Sequence, residues 1–433
     1  MFRGPTKRHA VRLLVATVVL SAAVVATAFV ANELDPTAGD VVESQSTLPY
    51  EERRSVAPES NGTTVITVQK FRRNFIVAFA PDGRVRYFDD SLDRYHDVDR
   101  APQGDRTVEF VGAEYDGETT YEVIRRVNLT TGATTDLYRH AVPRTDRPHR
   151  WHDVDRLDAH RFLVADIRDD AVFVVNTTTG ERTYEWPAQA HFDTDSGGPF
   201  PRDWTHINDA ERLPDGRYMA SLRNQDAVVF VDPGDGVDES WTLGSDGDHR
   251  MLYEQHNPEY IAGDDAPSVL VADSQNRRIV EYRRENGSWE RTWSWSDGDM
   301  AWPRDADRLP NDHTLVGDTN SGRVFEIDET GVVVWQVNGL PSYDVERLGT
   351  DDGSTDPRPA ARIDLPDSSP ESESVGPPRS VVPAKVRNTV AFVAPLWMSG
   401  SVQAVALLGL GSALTFALLV LAGGVRRLRA AKR

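Results

Sequence analysis

Cysteine is absent from the 433 residues, so neither a disulfide nor a thiolate metal site can form. Lysine occurs only at positions 7, 70, 385 and 432, so nearly every basic side chain is an arginine. The sequence has no basic stripe that could neutralise phosphates, which argues against a nucleic-acid partner. It also lacks a Gly-x-Ser-x-Gly motif, so nothing supports a serine hydrolase of that class.

Acidic residues dominate what remains. The net charge is −20, and the two ends of the chain hold nine basic residues without an acid, which leaves −29 on the rest. A heavily acidic surface with little lysine is typical of proteins that work in high salt, where screening makes self-repulsion tolerable. The composition therefore predicts a halophilic, haloarchaeal-type protein, with an ordinary acidic secreted protein as the alternative.

Both ends of the chain carry a long apolar segment. The first, Leu13 to Ala31, follows four basic residues and predicts a signal sequence or a retained signal anchor, the anchor being favoured by its length. The second has no charge from Asn388 to Val425, is most apolar over 402–421 and precedes a basic tail, as in a transmembrane helix with a cytoplasmic C-terminus. We therefore expect a protein of the cell membrane whose central domain lies outside the cell. The predicted boundaries are 1–31 for the signal or anchor, 32–62 for a linker, 63–348 for the folded domain, 349–387 for a disordered acidic Pro/Ser-rich stalk, 388–425 for the transmembrane segment and 426–433 for the tail.

A short phrase recurs through the central domain. It reads His-Asp-Val-Asp-Arg in its first two copies, and the later copies keep the acidic frame while changing the first residue. The first positions of the six copies are His96, His152, Asn208, His256, Arg304 and Tyr343. A spacing near 50 residues indicates a repeat array. The frame is expected to be structural, and the variable first position is where function is expected.

Each copy is followed by three short runs rich in β-branched and aromatic residues, separated by Gly, Asn and Asp. Four strands per unit of about 50 residues match the blade of a β-propeller. The first unit has strands but no opening phrase, whereas the phrase at Tyr343 has no strands after it. We therefore predict an all-β, six-bladed propeller whose N-terminal blade is closed by the C-terminal strand 343–348.

In a closed array the first positions form a ring. His206 lies two residues before Asn208, so both side chains share a face if the strand extends that far back. Hairpin pairing can bring Arg223 beside them, and His152 and His256 join from other blades. Several imidazoles, an amide and a guanidinium suit a tetrahedral oxyanion. The alternatives are a merely solvated channel lining, or Zn²⁺ on the histidines, which the nearby arginine disfavours; no metal is predicted.

Three segments carry a family resemblance. The sequence Asp203-Trp-Thr-His-Ile-Asn, followed by Ser221-Leu-Arg-Asn-Gln-Asp, resembles the core motif of the arylsulfate sulfotransferases. The stretch Gln255-His-Asn-Pro resembles the motif around that family's catalytic histidine, and His152-Asp resembles its upstream histidine. The likeness spans roughly 63–348. It implies a six-bladed propeller that moves a sulfuryl group from a phenolic sulfate ester to a phenol through a sulfated histidine, without a nucleotide donor or other cofactor.

The resemblance assigns roles residue by residue. His256 would be the nucleophile, and the sulfuryl oxygens would be held by His152, His206, Asn208 and Arg223. His96 and Arg304 share the ring without matching a motif and are possible accessory residues. The bacterial relatives carry an extra N-terminal β domain that helps them dimerise, and only about 30 residues precede the first blade here. The oligomeric state therefore stays open.

The leading hypothesis is thus a membrane-tethered aryl sulfotransferase whose partners are an aryl sulfate and a phenol. A non-catalytic extracellular propeller that binds an anionic ligand or a partner protein through the same face is the alternative. A third reading keeps the same pocket but uses water as the acceptor, as in a sulfatase or lyase.

Overall fold

A computed structural model describes residues 5–34, 37–70, 73–104, 106–144, 151–263, 265–349, 357–367, 388–389, 398 and 400–431. These residues form two compact units. One is helical and is built from the two ends of the chain, and the other is the β-unit between residues 38 and 385.

The β-unit consists of six antiparallel sheets that follow one another along the chain. Blade 1 holds β1 (Thr63–Lys70), β2 (Arg73–Phe79) and β3 (Val85–Asp89), and blade 2 holds β4 (Arg94–Arg100), β5 (Thr107–Asp116), β6 (Thr119–Asn128) and β7 (Thr134–Pro143). Blade 3 holds β8 (Trp151–Arg156), β9 (Arg161–Asp166), β10 (Ala171–Asn176) and β11 (Arg182–Pro187), and blade 4 holds β12 (Ile207–Arg212), β13 (Tyr218–Leu222), β14 (Ala227–Asp232), β15 (Gly236–Val237) and β16 (Leu243–Gly244). Blade 5 holds β17 (His256–Ile261), β18 (Ser268–Asp273), β19 (Arg278–Glu285) and β20 (Ser288–Trp295), and blade 6 holds β21 (Pro303–Arg308), β22 (Thr314–Asp318), β23 (Arg323–Ile327) and β24 (Val333–Asn338).

The last strand, β25 (Ser342–Leu348), does not begin a new blade but pairs with β1. Thr63 lies opposite Leu348 and Thr67 opposite Asp344, so β25 becomes the missing strand of blade 1. This confirms the predicted six-bladed propeller and its closure by a C-terminal strand. Apolar side chains of neighbouring blades pack into shared core clusters between the sheets, as Leu163 of blade 3 does with Val229 of blade 4.

The repeated phrase is the first strand of the four in blades 2 to 6, and β25 is its copy in blade 1. In five copies the strand pairing skips the first position. Trp151 pairs with Asp166 and Asp153 with Ala165, which leaves His152 as the extra residue of a β-bulge. A bulge turns one side chain out of the alternating pattern, and bulges are common beside active sites. The position that varies in sequence is therefore the position that the backbone releases from the ladder.

The acidic frame of the phrase joins one blade to the next. Asp153 of blade 3 accepts a hydrogen bond from the backbone N–H of Ala210 in blade 4, at 2.9 Å. Asp344 likewise accepts from Val98 at 2.6 Å, across the junction where the ring closes. Carboxylates at the fourth position do the same one step further along, as Asp155 does with the N–H of Arg212 at 2.7 Å. These bonds explain why the frame repeats while the first residue changes.

The segments that flank the propeller dock on it. Helix α2 (Ala38–Ser46) lies within the predicted linker, and its Val42 is buried in the core cluster that contains Phe75. Helix α3 (Ala360–Ile363) lies within the predicted stalk, where the N–H of Ala360 donates to the Glu281 carboxylate at 2.9 Å. The stretch 357–367 is thus held on blade 5. The remainder of the predicted stalk, 350–356 and 368–387, lies outside the described residues.

The helical unit contains α1 (Pro5–Leu34) and α4 (Gly400–Ala431). Among the described residues, these two helices are long and apolar enough to cross a membrane, over His9–Val30 and Val402–Leu421. They approach closely, because a Cβ atom added at Gly409 would lie only 2.7 Å from the Cβ of Ser21. Small residues at such a crossing are typical of helices that pack within a membrane.

Candidate active site

The first-position side chains gather at the propeller axis, and we call them the first-position ring. The imidazole centroids of His96 and His152 are 4.4 Å apart, and the ring of Tyr343 meets both edge-on, at 5.1 and 5.5 Å. The guanidinium of Arg304 lies 4.8 Å from the centroid of the Tyr343 ring. His206, just outside the ring, contacts His152 at 5.3 Å. Imidazoles and cations from five blades therefore share one site.

His256 is wholly buried, and its hydrogen bonds fix where its proton lies. Nδ1 lies 2.8 Å from the Ser274 hydroxyl oxygen and 3.2 Å from the Glu254 carbonyl oxygen. The Ser274 hydroxyl donates to the Pro303 carbonyl at 2.6 Å, so towards His256 it can only accept. With acceptors on both sides, Nδ1 carries the proton. Nε2 therefore keeps its lone pair, and it has no hydrogen-bond partner among the described residues.

The surroundings also keep this imidazole neutral. Burial lowers the pKa of His256 well below its usual 6.5, and the positive charges of Arg304 and Arg223 lower it further. A neutral imidazole beside two guanidinium groups combines a nucleophile with positive charge that attracts an anion. Nε2 is closed to solvent, so a substrate reaches it only by displacing side chains that lie over it.

Arg223 is held by a chain of contacts at the more open part of the site. Its guanidinium NH1 donates to Nε2 of His206 at 3.1 Å, and Nδ1 of His206 lies 2.6 Å from a carboxylate oxygen of Asp203. Burial lowers the pKa of His206 to about 4, and Arg223 adds to that shift, so the imidazole is neutral at pH 7. Asp203 thus takes the Nδ1 proton, and Nε2 of His206 is committed to Arg223. In this arrangement His206 orients the guanidinium.

The backbone places His206 differently from the sequence-based expectation. Strand β12 begins at Ile207, so it does not extend back to His206, whose φ is +50°. Glu254, at the equivalent position before His256, has φ +47°. Left-handed backbone at a non-glycine residue is strained, and such residues cluster at functional sites. Arg223 lies where hairpin pairing predicted, because Leu222 pairs with Ile207.

Asn208 links two neighbouring blades at the site. Its side-chain amide donates to the backbone carbonyl of Gln255 at 2.8 Å, next to His256. Its Oδ1 is buried and has no hydrogen-bond partner among the described residues. His96 is fixed from blade 1, because its Nδ1 lies 2.8 Å from the amide nitrogen of Gln69.

Several residues of the site were not among the predicted site residues. Ser274 occupies the position in blade 5 that Arg223 occupies in blade 4, and this equivalence was the signal that could have found it. Asp203 opens the first family motif, and its contact with His206 gives it a role. Trp302, whose ring centroid lies 6.1 Å from that of His256, carries no signal in the sequence.

Comparisons with known proteins bear on this site. The family model described as Arylsulfotransferase (ASST) matches residues 35–278, which is more than half of the chain and includes blades 1 to 4, His256 and Ser274. No curated protein matches the sequence.

Among solved structures, a protein of unknown function from Bacteroides caccae is 15% identical with a TM-score of 0.47, over 67% of this chain and 99% of that chain. A protein from Lactobacillus plantarum is 13% identical with a TM-score of 0.43, over 66% and 99%. A functionally unknown protein from Desulfotomaculum acetoxidans is 12% identical with a TM-score of 0.41, over 67% and 99%.

The functional conclusion therefore comes from the family model, whose matched stretch contains the nucleophilic nitrogen and the Asp203–His206–Arg223 contacts. The chain belongs to the arylsulfotransferase (ASST) family, and its function is of the sulfotransferase type.

Proposed function

We propose that the protein transfers a sulfuryl group from a phenolic sulfate ester to a phenolic acceptor through a sulfated His256. The observation that carries this proposal is the fixed tautomer of His256. Two acceptors hold the proton on Nδ1, so Nε2 presents a lone pair beside two arginines. A non-catalytic anion site would have no need of this arrangement.

In the first half-reaction Nε2 attacks the sulfur of the aryl sulfate. The N–S bond forms as the S–O bond to the aryl group breaks, and the electron pair leaves with the phenolate, which then takes up a proton. The imidazole gains positive charge during this step, because Nδ1 keeps its proton. Hydrogen bonds from Nδ1 to Ser274 and to the Glu254 carbonyl become charge-assisted and stabilise the sulfated state.

The sulfuryl oxygens are held by the cationic side of the site. Arg223 presents a fork of donors, only part of which is used by His206 and by Asn224. Arg304 acts on His256 from the neighbouring blade and supplies a second positive charge. His152 and Asn208 complete the binding set, and His206 contributes by orienting Arg223.

The second half-reaction returns the enzyme to its starting state. A phenol loses its proton and its oxygen attacks the same sulfur, the N–S bond breaks, and the lone pair returns to Nε2. No nucleotide donor is needed, because the sulfuryl group stays on the protein between the two steps.

The two apolar helices support a membrane-bound enzyme. We propose that both termini are cytoplasmic and that the propeller faces the outside, because the basic residues flank the two apolar segments on their terminal sides. The acidic composition supports a protein adapted to high salt.

The test is to trap the intermediate. Purified full-length protein is mixed with a chromogenic aryl sulfate in the absence of phenol, digested with trypsin and analysed by mass spectrometry. One sulfuryl adduct is expected on the peptide 251–277, which contains His256 and no other histidine. His256→Ala should abolish both release of the chromophore and transfer to phenol.

A matched control is His160→Ala, which removes an exposed histidine on a turn of blade 3 and should leave both half-reactions intact. An adduct elsewhere, or normal turnover by His256→Ala, would refute the sulfohistidine mechanism. Chromophore release that phenol does not divert would instead indicate water as the acceptor. Binding of the aryl sulfate without any release would favour a non-catalytic anion-binding propeller.

A further inference from the structure

The second and fourth positions of the repeated phrase line a cavity of about 270 Å³ at the propeller axis. We call it the acid channel. Its lining contains eleven carboxyl groups, one asparagine and no basic side chain. Acidic residues that only lock blades together can spend one oxygen on a neighbouring backbone N–H, which leaves the other oxygen facing the channel.

One member of the upper circle of carboxylates lacks even that bond. Asp97, Asp153, Asp305 and Asp344 each accept from the backbone N–H at the third position of the next copy, at 3.4, 2.9, 3.0 and 2.6 Å. For Asp209 the third residue of the next copy is Pro258, which has no N–H. Oδ1 of Asp209 is accordingly buried with no hydrogen-bond partner among the described residues.

A second and independent group points into the same place. Tyr343 is only 1% exposed, and its hydroxyl has no hydrogen-bond partner among the described residues. Burial raises the pKa of Tyr343; Arg304 opposes this, and Asp153, Asp344 and Asp209 of the acid channel raise the pKa further. The phenol therefore faces those carboxylates, and it is an oxygen donor of the kind that hard cations bind.

The carboxylates also lie too close together to be charged without compensation. Asp97 and Asp153 are within hydrogen-bond distance of each other, and so are Asp305 and Asp344. Burial and mutual repulsion raise the pKa of Asp97 and Asp305 well above the usual value. Oxygens this close share either a proton or a cation.

We propose that the acid channel binds a partly hydrated divalent cation of the Mg²⁺ or Ca²⁺ class, with Asp209 and the hydroxyl of Tyr343 among its oxygen contacts. Within the described ranges, no three His, Asp or Glu side chains converge closely enough to surround a bare ion. The ion therefore keeps several water molecules and meets the carboxylates partly through them, as Mg²⁺ commonly does. A cavity of 270 Å³ has room for an ion with such a shell.

The site is separate from the proposed chemistry, and its test does not use activity. Full-length protein is stripped with a chelator and then dialysed at neutral pH against radioactive Ca²⁺, with Mg²⁺ as the competitor. One ion per chain is expected. Saturating ion should raise the thermal midpoint of the propeller by about 5 °C.

The informative variant is Asp209→Asn. It should weaken ion binding at least tenfold, yet the ion-free variant should melt at a higher temperature than the ion-free wild type, because one uncompensated charge is gone. Asp299→Asn, which removes an exposed charge from a loop of blade 6, is the matched control and should change neither quantity. Tyr343→Phe, which keeps the ring and removes the hydroxyl, serves if Asp209→Asn does not fold, and it should also weaken binding.

Asn257→Asp supplies a prediction of the opposite sign, because it adds a twelfth carboxylate and should tighten binding while destabilising the ion-free protein. Absence of a stoichiometric ion in the wild type would overturn the proposal and show that shared protons neutralise the channel. Equal ion affinity in Asp209→Asn and Asp299→Asn would also overturn it, because the ion would then be bound elsewhere.

Discussion

Replacing Ser274 by alanine tests the role given to the His256 proton. The variant removes the acceptor 2.8 Å from Nδ1 and leaves the Glu254 carbonyl at 3.2 Å as the remaining acceptor. A hydrogen bond to a charged group contributes about 1.5–3 kcal/mol. Because one acceptor remains, we expect a loss near 1.5 kcal/mol in the sulfation step, which is roughly a tenfold slower rate.

The assay is the single-turnover release of chromophore from an aryl sulfate, normalised to folded protein. The variant also deprives the buried Pro303 carbonyl of its donor, so a loss of about 1–2 kcal/mol in the free energy of unfolding is expected. Ser221→Ala is the matched control, because it removes another fully buried serine hydroxyl, 3.2 Å from the Gln255 side chain. It should lower stability without slowing sulfation. An unchanged sulfation rate in Ser274→Ala would refute the argument from the tautomer.

Three further outcomes are expected. The sulfation rate should stay flat as the pH falls through 6.5, because burial and Arg304 lower the pKa of His256 and keep its lone pair available; a pH–rate profile that declines near 6.5 would contradict this. Arg223→Ala should slow the reaction roughly 10²–10³-fold, and His206→Ala only about tenfold, because His206 acts through the guanidinium; equal losses in steady-state kinetics would show direct contact by both. Truncation after Leu340 removes β25 and should give aggregated or protease-sensitive protein, whereas truncation after Asp367 should not; limited proteolysis distinguishes them.

The sequence predicts the architecture well because the acidic frame repeats. Equivalent residues such as Asp153 and Asp344 make equivalent bonds between blades, so the same solution recurs in sequence. The missing opening phrase of blade 1 and the unaccompanied phrase at Tyr343 were sufficient to predict how the ring closes. The docking of 37–62 and 357–367 on the propeller was not predictable, because it depends on a few contacts such as those of Val42.

The predicted site residues lie together, yet the sequence could not predict how they are connected. Spacing suggested that His206 extends a strand, whereas its backbone is left-handed and its imidazole is directed to Arg223. Ser274 matters only because its own hydroxyl is committed to a distant carbonyl, and such a bond has no signature in composition or period. The bulges at the first positions likewise depend on strand register, which a repeated phrase does not reveal.

The pairing of β1 with β25 also sets the timetable of biosynthesis. Thr67 and Asp344 are hydrogen-bonded neighbours separated by 277 positions of the chain. At a translation rate of about 5–20 residues per second, β1 waits roughly 14–55 seconds for its partner to be synthesised. Throughout that interval blade 1 exposes an open edge, and the Tyr343 side of the site does not exist. The newly made chain therefore depends on protection of one strand edge until the last sixth of the polypeptide has begun to emerge.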